Sequence, residues 1–135
     1  RIVIELPPRS PIVMADRDRL MQVVLNLLSN AIKFVPPGTG MVRLRVSASA
    51  SEVRVEVEDN GTGIASGEEE LVFEKFRQGG NTLTDKPKGT GLGLPISREI
   101  VQAFGGRLWV ETRKQEDSLG GAHFVCSLPA SSAGE

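Results

Sequence analysis

Between Asp16 and Phe34 the chain reads DRDRLMQVVLNLLSNAIKF, its longest segment with one clear period. Leu20, Val23, Val24, Leu27, Leu28 and Ala31 recur at helical spacing, and around a helix of about 3.6 residues per turn they form a broad apolar arc. Such a helix buries that arc against a second layer of structure. Asp16 is its N-cap by type and position, and Pro36-Pro37-Gly38 stops it near Val35. Asn26, Asn30 and Lys33 fall together on a narrow polar stripe beside the arc. Two amides and an ammonium on adjacent turns suit a ligand that combines phosphates with a hard cation. An Asn oxygen ligates Mg²⁺, and Lys meets a phosphate as a point charge. Ordinary solvated helix faces carry the same residue types, so the stripe decides nothing alone.

The second layer is legible as strands. Ile2, Ile4 and Leu6 alternate with Val3 and Glu5, which predicts a strand ended by Pro7-Pro8, and Pro11 to Met14 is a short extended segment. Val42, Leu44, Val46, Ala48 and Ala50 alternate with Arg43, Arg45, Ser47 and Ser49. After a turn near Ser51, Val53, Val55 and Val57 alternate with Arg54, Glu56 and Glu58. This predicts a half-buried antiparallel hairpin. Asp59 keeps the parity of the three valines, so its carboxylate is expected on the core side where the strand ends. An unpaired acid is costly there. It needs a hydrogen-bond donor, which a ligand could supply.

Asn60-Gly61-Thr62-Gly63 is a flexible turn, Ile64 is apolar again, and a short helix is expected over 67–71. Residues 77–91 are polar and glycine-rich, with Lys86 and Lys88 around Pro87; a loop of this length in a compact domain is functional or disordered. Leu92, Ile96, Ile100 and Phe104 predict a helix with Pro95 in its first turn and Gly105-Gly106 at its end. Strands over 107–112 and 123–128, joined by a turn at 115–121, complete a domain of residues 1–129, and 130–135 reads as a disordered tail. The order predicts an α/β (α+β) two-layer sandwich, with helices on one face of a mixed, mainly antiparallel sheet.

The 135 residues suit one domain with its own core, and a formal net charge of −1 gives no support to nucleic-acid binding by bulk charge. No apolar run reaches the length of a membrane span and no signal peptide is visible. The one cysteine, Cys126, has no internal disulfide partner, which fits a reducing compartment, and it reads as a small buried hydrophobe. The chain opens directly on a strand pattern, and the expectation is that it is a piece of a longer protein.

Gly89-Thr90-Gly91-Leu92-Gly93-Leu94 runs straight into a helix N-terminus, where glycines allow close backbone approach and free N–H groups bind anions. No Lys-Ser or Lys-Thr follows, as a Walker A loop would require, and no strand directly precedes, as a dinucleotide fingerprint would. Four blocks then stand in one order: Asn26 to Phe34, Asp59 to Ile64, Phe73-Glu74-Lys75-Phe76-Arg77, and Gly89 to Leu94. This succession closely resembles the N, G1, F and G2 boxes of the ATP-binding catalytic domain of sensor histidine kinases. That family shares a superfamily with DNA gyrase and a heat-shock chaperone. The resemblance extends to the closing Gly121-Ala122-His123-Phe124 stretch, although Ala122 replaces the frequent Ser or Thr.

The resemblance implies a role at each matching position. Asn30 would ligate Mg²⁺, with Asn26 near the ion or the phosphates, and Lys33 would meet a phosphate. Phe34 would pack on the adenine, Asp59 would accept from its amino group, Gly61 and Gly63 would let the backbone approach, and Ile64 would line the pocket. Lys75 and Arg77 would contact phosphates, while Phe73 and Phe76 would anchor a lid over 78–88. Gly89, Thr90, Gly91 and Gly93 would border the triphosphate, with Leu92 and Leu94 packed beneath.

The ATP-hydrolysing relatives carry Glu where this chain has Asn26, and an amide cannot act as a general base. Transfer to another acceptor is therefore favoured over hydrolysis. The implied acceptor is a histidine on the helical hairpin of a dimerisation domain outside this sequence, with a response regulator downstream. The parent protein would be a homodimer, this domain alone a monomer, and its compartment the cytoplasm. His123, the only histidine, falls in a late strand and reads as structural or exposed. Two other readings stand beside this one: an anti-sigma-type serine kinase of the same fold, and a non-catalytic nucleotide-binding interaction module.

Overall fold

Asp16 starts the long helix as its residue type predicts. In the computed structural model, which describes residues 1–74, 93–113 and 116–131, its side chain accepts the N–H groups of Asp18 and Arg19 at 2.9 and 3.1 Å. Helix α1 then runs Arg17–Phe34 and buries Val23, Leu27 and Ala31. It lies on a sheet built from β1 (Ile2–Glu5), β2 (Val42–Ala48), β3 (Glu52–Asp59), β4 (Arg107–Val110) and β5 (His123–Pro129). A second helix, α2 (Gly93–Ala103), packs beside α1.

The five strands are ordered β1-β2-β3-β5-β4. The β1–β2 pair is parallel and the other three are antiparallel, which makes the sheet mixed and mainly antiparallel as expected. Period-2 alternation in β3 sends Val53, Val55 and Val57 inward opposite Leu128, Cys126 and Phe124 of β5. With Leu108 and Val42, most of these form one core with Val23, Leu27 and Ala31 of α1 and Val101 of α2. Cys126 sits in this core, and burial pushes its thiol up to about 12, so it behaves as a hydrophobe.

The other face of the sheet carries a charged layer. Arg43 meets Glu58 at 2.8 Å, Arg45 meets Glu5 and Asp117 at 3.0 and 2.9 Å, and His123 meets Glu56 at 2.8 Å. The Arg54 and Arg107 guanidinium groups lie 5.4 and 4.8 Å from the Trp109 ring centre. Val125 is buried within this layer, outside the main core. His123 is thus a structural residue in a strand, hydrogen-bonded to Glu56.

Several expectations shift. Ile2 and Ile4 alternate as a strand should, yet both are exposed: β1 is an edge strand, and α1 packs on β2 and β3. The short helix expected over 67–71 is instead a 3₁₀ turn at Leu71–Phe73. Its Val72 and Phe73 enter the core, which pulls the turn toward the apolar residues and leaves Gly67 before it. Helix α2 closes as its glycines predict, with Gly105 at φ +80° and bonds from Gly105 N–H to the Gln102 carbonyl and Gly106 N–H to the Val101 carbonyl. Two residues expected in a loose tail are tied down. Ala130 pairs with Val13 and donates to the Ser51 carbonyl, and the Ser131 N–H donates to the Ile12 carbonyl.

Candidate nucleotide site

Asp59 is 2% exposed at the end of β3, facing inward as its parity requires. The expectation of a carboxylate lacking a donor is corrected by the backbone around it. Its Oδ1 accepts the N–H groups of Gly61 at 2.9 Å and Ala122 at 3.1 Å. Its own N–H donates to the Ala122 carbonyl, and its carbonyl accepts from Gly121. The end of β3 and the start of β5 are therefore locked together around one acid. Gly121 permits this closeness, because a Cβ there would collide with the Asp59 carboxylate and carbonyl. Asp59 is thus held in one orientation by backbone groups of the β3 turn and the start of β5.

Gly61 brings the same turn against α1. A Cβ at Gly61 would run into the Phe34 carbonyl at the end of the helix. Asn60 secures the neighbouring loop, accepting from the Met41 N–H at 2.8 Å and donating to the Thr39 carbonyl at 2.8 Å. Ile64 is half-buried against the core, and Gly63 adopts φ +79° beside Gly121.

Asn26, Asn30, Lys33 and Phe34 are all half-buried on α1. From Asn26 to Phe34 the helix rises about 12 Å. Its far end meets the Asp59 turn, and its middle meets the start of α2. There the Asn26 amide nitrogen donates to the Gly93 carbonyl at 3.3 Å and the Ser97 hydroxyl at 3.0 Å. Lys33 Nζ lies 5.8 Å from the centre of the Phe34 ring. Gly93 and Leu94 are the first residues of α2, and Leu94 packs against the core. One helix thus joins a buried acid at one end of the site to a helix N-terminus at the other.

Phe73 is buried edge-on to Phe124, with ring centres 6.1 Å apart. The Arg98 guanidinium of α2 stacks 4.0 Å from the Phe73 ring centre and grips both Glu70 carboxylate oxygens at 2.9 and 2.8 Å. This pairing holds the Glu70 carboxyl below its ordinary pKa. The other sequence-derived candidates, Lys75, Phe76, Arg77, Gly89, Thr90, Gly91 and Leu92, and the expected lid over 78–88, lie outside the described residues. Three contributors to the site were not singled out by the sequence: Ser97, Arg98 and the backbone of Gly121-Ala122. Ser97 stands outside the apolar positions Leu92, Ile96, Ile100 and Phe104 that mark its helix in the sequence. Only the pairing of distant strands brings residue 122 to residue 59.

A mixed open sheet with two helices on one face, a buried acid after the central strand and an amide-bearing helix above it define an α/β ATPase-like domain. The chain belongs to the family described as histidine kinase-, DNA gyrase B- and HSP90-like ATPases, whose profile matches residues 15–132, and within it to the histidine kinase ATP-binding domains. It is 46% identical over 102 residues to the sensor histidine kinase AruS of Pseudomonas aeruginosa, covering 73% of this chain and 10% of that protein. Among solved structures, it superposes on the mycobacterial sensor histidine kinase MprB with a TM-score of 0.79 at 32% identity, over 96% of this chain and 84% of that one. Full-length ShkA in complex with AMPPNP matches at a TM-score of 0.76 and 34% identity, over 96% of this chain and 25% of that one. The histidine kinase ThkA in complex with the response regulator TrrA matches at 0.74 and 28%, over 96% and 34%. The chain therefore spans about a tenth of AruS, a quarter of ShkA and a third of ThkA, and its relatives support a two-component kinase role.

Proposed function

We propose that this domain binds Mg-ATP along α1 and donates the γ-phosphoryl group to a histidine on a helical hairpin elsewhere in the same protein. The observation that carries the reading is the row Asn26, Asn30, Lys33 and Phe34 on a helix that touches both the Asp59 turn and the N-terminus of α2. The base lies at the Phe34 and Asp59 end, where a fixed buried carboxylate accepts from an exocyclic amine. The phosphates run from Lys33, beside Phe34, toward Gly93, where the start of α2 offers positive charge. The box residues before α2 (Gly89, Thr90, Gly91, Leu92) and after the 3₁₀ turn (Lys75, Phe76, Arg77) belong to this proposal through their motifs alone.

Mg²⁺ fits the donor set, because Asn30 brings a neutral amide oxygen and leaves the ion to keep waters and phosphate oxygens, as it prefers. When bound, the ion neutralises charge that develops on the transferring phosphoryl group. Asn26 cannot take a proton from water, and its amide hydrogens are engaged by α2. Hydrolysis therefore lacks a base, and a positioned acceptor gains the phosphoryl group instead. A histidine-bearing dimerisation domain and a response regulator are the partners this chemistry calls for, with this domain facing the cytoplasm and the parent a homodimer. The AMPPNP complex of ShkA supports the nucleotide, and the complex of ThkA with TrrA supports the regulator.

The test is transfer from radiolabelled ATP. The chain alone should neither release phosphate quickly nor label itself. Adding the parent's hairpin should give acid-labile phosphate on it, and none when the hairpin histidine is changed to Ala. Rapid phosphate release by the chain alone, or acid-stable serine labelling of a partner, would contradict the reading.

A further inference from the structure

We infer that Ser97 is a positioning residue for the magnesium-nucleotide complex, acting through Asn26. The inference rests on the proposed site and adds a residue that none of the four boxes contains. Ser97 is 0% exposed in the middle of the buried face of α2. A buried hydroxyl needs a partner, and this one receives the Asn26 amide nitrogen at 3.0 Å from the neighbouring helix.

The chemistry of the two acceptors fixes which way the amide faces. The Gly93 carbonyl can only accept, so the atom of Asn26 beside it must be the NH₂ group. The Ser97 oxygen takes the second amide hydrogen. With both hydrogens committed to α2, Oδ1 is the polar atom of Asn26 left over, an oxygen ligand of fixed orientation. Gly93 stands close enough to matter: a Cβ there would lie 3.8 Å from the Asn26 amide carbon. Without the hydroxyl, one hydrogen loses its acceptor and the amide keeps only the longer 3.3 Å bond. The side chain can then rotate, and Oδ1 no longer waits in place for the ion or its bound water. Groups that orient a metal ligand in this way typically change metal affinity by about 10- to 100-fold.

The experiment measures ATP affinity in excess Mg²⁺ and in EDTA for wild type, Ser97→Ala and Ser97→Cys, with thermal unfolding as a check on folding. The cysteine variant keeps the heavy-atom arrangement of serine and offers only a weak acceptor. Wild type should bind ATP more tightly with Mg²⁺. Both variants should keep the affinity measured in EDTA and lose about tenfold of the Mg²⁺-dependent gain. The Asn26 side-chain amide signals should also move in NMR spectra recorded without ligand. An unchanged Mg²⁺-dependent gain in both variants would overturn the inference, as would equal losses with and without Mg²⁺. Failure of the wild type to bind ATP in Mg²⁺ would instead remove the proposed site itself, and this inference with it.

Discussion

Asp59 ties the end of β3 to the start of β5, and its structural task separates experimentally from the base-reading task proposed for it. As a structural acid it takes two backbone N–H groups on Oδ1, from Gly61 and Ala122. Asn in its place still offers an oxygen there, so Asp59→Asn should fold with a loss of about 1–2 kcal/mol, the difference between charged and neutral hydrogen bonds. As a base reader it should fail, since the amide brings donors of its own. A further loss of roughly 1–3 kcal/mol in ATP binding is expected, read by competition between ATP and GTP. Full ATP affinity and preference in the variant would show that Asp59 does not read the base. The inward aim of this carboxylate was legible from strand parity alone. Its backbone donors were not, because one of them stands 63 positions away and arrives only through the β3–β5 pairing. Ser97 escaped notice for a related reason: its partner, Asn26, stands on another helix 71 positions away.

The elements were legible wherever local chemistry dictates them. The Asp16 cap, the proline stop after α1, the Val-rich hairpin and the glycine closure of α2 all follow from adjacent residues. Strand order and the ion pairs of the charged outer face follow from long-range pairing, which a period-2 pattern does not encode. That face makes a prediction of its own. The hydrogen bond from His123, aided by nearby positive charge, holds the Glu56 carboxyl below its ordinary pKa despite partial burial. A carboxylate with a depressed folded-state pKa stabilises the fold above its unfolded value, and that contribution disappears as pH falls through the folded value. Stability measured by denaturant from pH 7 downward should therefore decline below about pH 4. Glu56→Gln should lower stability at pH 7 and narrow its gap to wild type in the acid range. Parallel curves for the two proteins would show that the His123–Glu56 pair contributes nothing to this dependence.

At the scale of the molecule, the sheet and the two helices make a frame in which the Asp59 acid and the Asn26 amide are held at set places. Each end of the row on α1 is fixed by contacts across the fold: Gly61 under Phe34, and Asn26 against Gly93 and Ser97. The proposed nucleotide row thus rests on contacts made within a domain that spans a small part of its relatives. Asn30 occupies the middle of that row, half-buried and apart from the buried Val23, Leu27 and Ala31 face. Replacing it should leave the fold intact while removing the ion ligand proposed above. The most direct measurement is calorimetric titration of Mg-ATP into wild type and Asn30→Ala, with both shown to be folded by their unfolding transitions. Saturable binding to the wild type and no productive Mg-ATP binding to Asn30→Ala is the expected result. Wild-type Mg-ATP affinity in the folded variant would contradict the placement of the magnesium-nucleotide complex on α1.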